Sequence, residues 1–212
     1  MKTLTDKNKI EFYKFLEREK SVEELENFIY SQTDIEKQLD KEIYLNLIEI
    51  NFKDEYDKAK LLDLIMTKII KQGEFETWKL KRVLKHFLSQ PEKIDLNLEK
   101  IYDLYCGIYH ENGKILYEYK FLGNLALNYL YWVEEGYLKT HFGENWKSEY
   151  AKCQNEFKFY YDQLKDFAIE IVFAIENKQI EILDNGTYKI SDELKNKIES
   201  DKIYNLKHPN KN

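Results

Sequence analysis

Four histidines are the side chains of this chain best suited to acid–base or metal chemistry near neutral pH. They are His86, His110, His141 and His208. No two of them stand three or four residues apart, and the chain has no HExxH motif. His110 and His141 fall at predicted loop edges, where site residues are common, with Glu111 and Glu144 beside them. His86, next to Phe87, is predicted to lie at a surface or boundary. The histidines therefore predict no catalytic residue.

Acidic pairs at helical spacing are the next candidates, and they are Glu23 with Glu26 and Asp54 with Asp57. Helical pyrophosphatases bind magnesium with such pairs, but they need two pairs that face each other. The first pair opens a short capped helix, where acids are favoured because they complement the helix dipole. We therefore predict a structural role for these acids, with no metal and no cofactor.

Composition narrows the class of partner. The net charge is −6, from 39 acidic and 33 basic residues, which argues against nucleic acid or an anionic membrane and suits a basic partner protein. The alternative is that the negative net charge serves only to keep the protein soluble. Cys106 and Cys153 stand 47 positions apart without a CxxC motif, so buried, reduced thiols are predicted. The polar residues Met1 to Lys9 and the lack of a long apolar run predict a cytoplasmic protein.

Turn-forming residues are rare, with seven glycines and two prolines in 212 residues. This scarcity favours long helices with short connections. We predict an all-α fold, a single bundle of about eight or nine helices with antiparallel helix hairpins and a small C-terminal β-hairpin. Residues 1–206 are predicted to form one domain, and residues 207–212 a loose tail.

Capping signals and apolar spacing place the helices of the first half. Ser21 with Glu24, and Thr33 with Glu36, have the spacing of capping boxes. One helix is predicted to carry an apolar stripe and to end with a left-handed cap at Gly73. The stripe consists of Leu62, Ile65, Met66, Ile69 and Ile70. The predicted helices are Asp6–Glu19, Val22–Tyr30, Thr33–Ile50 with a break near Asp40, Asp54–Gln72 and Glu74–Ser89.

The second half of the chain is predicted to contain three long helices. The first two are Leu96–Tyr109 and Ile115–Glu135; Gly136 ends the second of them, and a loop follows at Tyr137–Glu144. The third is the longest of the chain and runs from Trp146 or Ser148 to Asn177. Gly107 and Gly123 are predicted inside these helices. Alternating apolar residues on either side of Asp184–Thr187 predict a β-hairpin, and Ser191 opens a last short helix.

Nine aromatic residues, seven of them tyrosines, lie between Tyr102 and Trp132. Tyrosine has an apolar ring with a polar tip, and it suits surfaces that become buried on binding. Tyr102, Tyr105 and Tyr109 are three and four residues apart and are predicted to line one helical face. Core packing is favoured for most of these rings, and partner binding by the remainder stays open.

Five stretches resemble a family of bacterial all-helical proteins, over about Ser21 to Leu183. They are Ser21–Tyr30, Leu39–Phe52, Phe75–Lys81, Tyr102–Cys106 and Phe121–Leu125. Members of that family are similar to the immunity proteins of polymorphic or contact-dependent toxin systems. This chain departs from the family pattern after Cys106, where Asp-Gly-Tyr is replaced by Gly107-Ile108-Tyr109, and His110 to Lys114 look inserted.

The resemblance implies a non-enzymatic protein that neutralises a cognate toxin with a basic surface by occlusion. Aromatic anchors would be buried on binding, and acids would steer the approach of the toxin. The residues predicted to contact the partner are Tyr109, His110, Glu111, Tyr131, Glu134 and Glu135.

Two other functions remain open. A helical adaptor or regulatory scaffold that binds a peptide would have a groove between helix hairpins rather than an exposed patch. An enzyme with an unrecognised helical active site would need polar residues that converge in a pocket, and the sequence nominates no such set.

Overall fold

A computed structural model describes residues 3–109 and 115–198. The protein is mainly α-helical, with 76% of it in helices, which confirms the predicted fold class. The described residues form eleven α-helices, more than the eight or nine predicted. The chain groups into two compact units, Met1–Phe75 and Glu76–Asn212. The single domain over residues 1–206 stays a prediction.

Five helices and the start of a sixth make up the first unit. They are α1 (Asp6–Leu16), α2 (Val22–Ser31), α3 (Ile35–Gln38), α4 (Lys41–Ile48), α5 (Glu55–Leu64) and the first residues of α6 (Gln72–Ser89). Helix α1 ends three residues earlier than predicted, where Arg18 takes a left-handed conformation with φ 59°. The core of this unit includes Phe12, Leu25 and Leu61, all fully buried.

Side-chain caps explain where two of these helices begin. Ser21 and Glu24 form the predicted capping box, in which each side chain accepts a hydrogen bond from the other's backbone N–H. Asp54 caps α5 by accepting from the Asp57 backbone N–H. The capping box predicted at Thr33 is wrong, because α3 begins after Asp34 without a side-chain cap. The predicted break near Asp40 is confirmed and separates α3 from α4.

A π-helical segment, Ile65–Ile69, continues α5. The Ile70 N–H donates to the Ile65 carbonyl at 3.0 Å, a bond over five residues instead of four. The extra residue changes the predicted stripe: Ile65 and Ile70 are buried, but Leu62 is exposed and Leu61 takes its place. The predicted cap at Gly73 is wrong, because Gly73 lies inside α6.

The second unit contains the rest of α6 and five more helices. These are α7 (Ile94–Cys106), α8 (Gly123–Trp132), α9 (Glu135–Phe142), α10 (Trp146–Glu176) and α11 (Asp192–Ile198). Short 3₁₀ turns lie at Pro91–Lys93, Lys120–Leu122 and Gly143–Asn145. Helix α8 packs on α7 and α10, and α10 also packs on α9. The long helix α10 confirms the prediction to within one residue at its C-terminus.

Two antiparallel strand pairs belong to this unit. The pair β1 (Ile108–Tyr109) and β2 (Ile115–Tyr117) lies where helices were predicted. The C-terminal pair β3 (Ile180–Ile182) and β4 (Tyr188–Ile190) was expected, and Ile180 faces Ile190 in its register. Gly186 in its turn has φ 84°, a conformation that favours glycine.

The structure corrects the end of one predicted helix, the first part of another and one predicted loop in the second unit. Helix α7 ends at Cys106 because Gly107 takes φ 96°, which lets the chain turn into β1. The predicted helix Ile115–Glu135 is replaced by β2, a 3₁₀ turn and α8, which begins at Gly123. The predicted loop Tyr137–Glu144 is mostly helix α9, and Gly136 lies within it.

The core of the second unit is built around a buried polar contact. Tyr119 is fully buried, and its hydroxyl donates to Glu76 Oε2 at 3.0 Å. Glu76 is 2% exposed and forms an ion pair with Lys79 at 2.8 Å. Burial and the charge of Glu76 raise the pKa of Tyr119 well above its usual range, so the phenol stays a donor.

No helix within the described residues is both long enough and apolar enough to traverse a lipid bilayer.

Glu11 on α1 gives the first unit a pH-dependent stabilisation. Its carboxylate accepts from Lys14 at 2.8 Å and from Lys20 at 2.5 Å, and these bonds lower the pKa of Glu11. Because the folded pKa is depressed, this stabilisation is present above about pH 4.3, the ordinary glutamate value, and is lost as the pH falls through the folded pKa. We expect Glu11→Gln to lower the free energy of unfolding at pH 7 more than at pH 3, measured by urea denaturation. The exposed Glu36→Gln serves as control, and an equal loss for Glu11→Gln at both pH values would contradict the assignment.

Removal of the Tyr119 hydroxyl tests the buried contact. Tyr119→Phe keeps the ring and leaves the buried Glu76 carboxylate without one donor. We expect a loss of about 1.5–3 kcal/mol in the free energy of unfolding, the usual range for a hydrogen bond to a charged group. Tyr161→Phe is the matched control, since its hydroxyl donates to the neutral Phe87 carbonyl at 2.9 Å and should cost about 1 kcal/mol. Equal losses in the two variants would show that the charge of Glu76 adds nothing.

Candidate functional site

Three half-buried tyrosines form a continuous aromatic surface on the second unit. Tyr102 and Tyr105 come from α7, one turn apart, and Tyr129 comes from α8. The ring centroids of Tyr102 and Tyr129 are 5.3 Å apart, and those of Tyr102 and Tyr105 are 6.4 Å apart. We call Tyr102, Tyr105 and Tyr129 the tyrosine patch. It rests on the core and keeps part of each ring exposed to solvent.

Polar neighbours hold the tyrosine patch in place. The hydrogen bond between Tyr102 and Cys106, with burial and the nearby charge of Glu134, raises the pKa of Tyr102 to about 12. Burial and the charges of Glu99 and Glu134 raise the pKa of Tyr129. The Lys120 ammonium lies 4.5 Å from the centre of the Tyr105 ring. The hydroxyls of Tyr102 and Tyr129 are therefore neutral at physiological pH, and the carboxylate of Glu134 lies near both.

Glu134, which lies near the tyrosine patch, is the N-cap of helix α9. Its carboxylate caps α9 by accepting from the Gly136 N–H at 2.9 Å and from the Tyr137 N–H. A Cβ at position 136 would lie 3.0 Å from Glu134 Oε1, so glycine there leaves room for the cap. Glu135, the next residue, is exposed and forms an ion pair with Lys139 one turn on. Of the two acids, Glu135 is the one whose charge faces solvent.

The other predicted contact residues are not placed by the structure. His110 and Glu111 lie outside the described residues, and only the backbone of Tyr109 and Tyr131 is described. Tyr109 belongs to β1, so it does not continue the helical face of Tyr102 and Tyr105. The predicted contacts do not include Tyr102, Tyr105 and Tyr129, although the three-residue spacing on α7 was a usable signal.

Metal-ligating side chains do not gather anywhere in the described residues. His141 is exposed on α9, where its ring stacks on Tyr137 with centroids 3.8 Å apart and Nδ1 lies 2.9 Å from the Tyr137 carbonyl. His86 is half-buried on α6, as predicted for a boundary residue.

The first unit has a surface of another kind, a cleft of about 800 Å³ lined by α4, α5 and the π-helical segment. Its lining carries five carboxylates and two ammonium groups. The carboxylates are those of Asp40, Glu42, Glu49, Asp57 and Asp63, and the ammonium groups are those of Lys60 and Lys68. We call it the acidic cleft.

The chain matches no protein-family model, no curated protein and no solved structure.

Separate substitutions of Glu134 and Glu135 distinguish the contribution of the helix cap to stability from that of an exposed charge. We expect Glu134→Ala to lower the free energy of unfolding by about 1 kcal/mol, the typical cost of a lost N-cap. Glu135→Ala should change it by less than about 0.5 kcal/mol, because it loses one exposed ion pair. Urea denaturation of both variants measures the difference, and a similar cost for the two would show that Glu134 does not act as a cap in solution.

Proposed function

We propose that this protein is an immunity protein that binds a cognate bacterial toxin and neutralises it by occlusion, without catalysis. The observation that carries the proposal is the tyrosine patch, with Glu134 near it and the exposed Glu135 next in the chain. The resemblance of five stretches to proteins similar to immunity proteins supports the same reading.

The tyrosine patch suits burial against a partner for a physical reason. Each ring is already held by packing, so little side-chain entropy remains to be lost on binding. Tyrosine rings are also enriched at interface centres, where their apolar bodies are buried and their hydroxyls find partners. Tyr102 and Tyr129 already contact each other, so a partner would cover one surface rather than separate side chains.

Acidic residues would set the rate of encounter. Glu135 is exposed, and the protein as a whole carries a net charge of −6. Attraction to a basic toxin surface would speed association at low salt and be screened as salt rises. The proposed mechanism combines this steering with burial of the tyrosine patch.

A growth test addresses the proposal directly. A candidate toxin domain, identified from the gene beside the one that encodes this chain, is expressed in a bacterial host with and without the protein, and growth is followed. Growth restored by the protein, together with a stable complex of the two purified chains, supports immunity. A toxin that stays fully active in the presence of excess protein would refute it.

A charge reversal tests the steering. Glu135→Lys should lower the association rate with the toxin roughly threefold at low salt and weaken the dependence of that rate on salt. Glu181→Lys on β3 is the matched control, with the same change of charge at another exposed position of the same unit. Stopped-flow or biolayer measurements give the rates, and equal slowing by both variants would assign the effect to overall charge.

A second candidate function is a helical adaptor that binds a peptide, and the acidic cleft favours it. The adaptor hypothesis expects a groove between neighbouring helices, and the cleft lies between α4 and α5. Under this alternative the protein forms a complex through the cleft, and toxin activity in the growth test is unaffected.

A further inference from the structure

The acidic cleft has an excess of uncompensated negative charge. The ammonium of Lys60 compensates only one carboxylate, because it pairs with Asp57 at 2.7 Å and lies 4.6 Å from the centre of the Tyr56 ring. Four carboxylates then remain, against the single ammonium of Lys68. Among the described residues, none of these four side chains has an ion pair or a hydrogen bond. They are those of Asp40, Glu42, Glu49 and Asp63.

Apolar groups lie between these acids. Ile43, Ile50 and Leu64 line the cleft and are each half-buried. Tyr56 also lines it and is 73% exposed, the highest value among the large hydrophobic residues that remain exposed. A surface with apolar residues surrounded by acids complements an amphipathic segment that carries basic residues beside apolar ones.

The π-helical segment forms part of the wall. Thr67 and Lys68, both within Ile65–Ile69, line the cleft. A π turn is less favourable than an α turn and is often found at functional sites. Here it brings Thr67 and Lys68 to the cleft while Ile65 and Ile70 stay in the core. The wall is therefore irregular at the point where the occupant would bind.

We propose that the acidic cleft binds an amphipathic, lysine- or arginine-bearing helical segment of a partner protein. The charge excess selects basic residues, and the apolar lining selects a peptide over a free ion. The volume of about 800 Å³ matches on the order of two turns of a helix about 10 Å wide. The cleft is on the first unit and the tyrosine patch on the second, so this inference does not depend on the toxin and needs only that the partner is a polypeptide.

The test uses the full chain and a synthetic probe. The probe is a fluorescein-labelled helical peptide with leucines on one face and lysines on the other, and binding is followed by fluorescence anisotropy at low and moderate salt. The same peptide with glutamates in place of lysines is the charge control. We expect the lysine peptide to bind and the glutamate peptide not to bind. No binding of the lysine peptide would overturn the proposal.

Charge reversal in the cleft localises the binding. Glu49→Lys with Asp63→Lys should weaken binding of the lysine peptide at least about tenfold, because two attractive contacts become repulsive. Both residues are exposed, so the fold should persist, and urea denaturation checks this. Glu23→Lys with Glu36→Lys is the matched control, with the same change of charge elsewhere on the first unit, and should change the affinity less than about twofold. An equal loss in both double variants would overturn the proposal, because it would assign binding to overall charge.

Three further measurements test the apolar contact and two other possible occupants. Tyr56→Ala should weaken binding several-fold even at moderate salt, since it removes an apolar contact that salt does not screen. Spermidine should compete only weakly, and displacement at affinities equal to those of the peptide would make this a small-cation site instead. Sedimentation should show that the free protein does not dimerise through the cleft. Dimerisation abolished by the Glu49 and Asp63 reversals would identify a second copy as the occupant and overturn the proposal.

Discussion

The hydrogen bond between Tyr119 and Glu76 is the constraint on which the second unit depends. A buried carboxylate is costly unless charged and polar partners surround it. Glu76 has the Tyr119 hydroxyl and the Lys79 ammonium, and the rings of Phe121 and Tyr188 pack around Tyr119. The Tyr119 backbone N–H also donates to the Leu104 carbonyl on α7. The chain is therefore fixed to α6 and α7 just before α8 begins, which sets where Tyr129 meets Tyr102.

The sequence predicts the elements whose signals are local. Helix α10 keeps three- and four-residue spacing over its whole length, and the β3–β4 hairpin has alternating apolar residues on both sides of a turn that contains Asp, Asn and Gly. The strand β2 is a different case. Tyr117, the last residue of β2, and Tyr119, two residues further on, are both buried, a strand-like alternation that their place in a run of aromatics obscured. Its partner strand lies on the far side of residues 110–114, and local periodicity carries no information about such a pairing.

The π-helical segment explains why the α5 stripe was only partly right. An α-helix predicts burial at three- and four-residue steps, but the buried positions run Leu61, Ile65 and Ile70, with a last step of five. A single inserted residue shifts every later side chain by about 100° and leaves no mark in composition. Neither surface could be predicted in full from the sequence, for a related reason. The tyrosine patch joins α7 to α8 and the acidic cleft joins α4 to α5, so each depends on how separate helices pack.

The residues around the tyrosine patch divide into those that stabilise the fold and those that can change at little cost in stability. Glu134 caps α9 and Gly136 leaves room for that cap, so neither can vary without a cost in stability. Glu135 has only an exposed ion pair, and such a pair contributes little to stability. Helix α7 ends at Cys106, and Gly107 with φ 96° turns the chain into β1. Under the proposed function, specificity for a partner would therefore change most easily at Glu135, while Tyr102 and Tyr129 keep their positions.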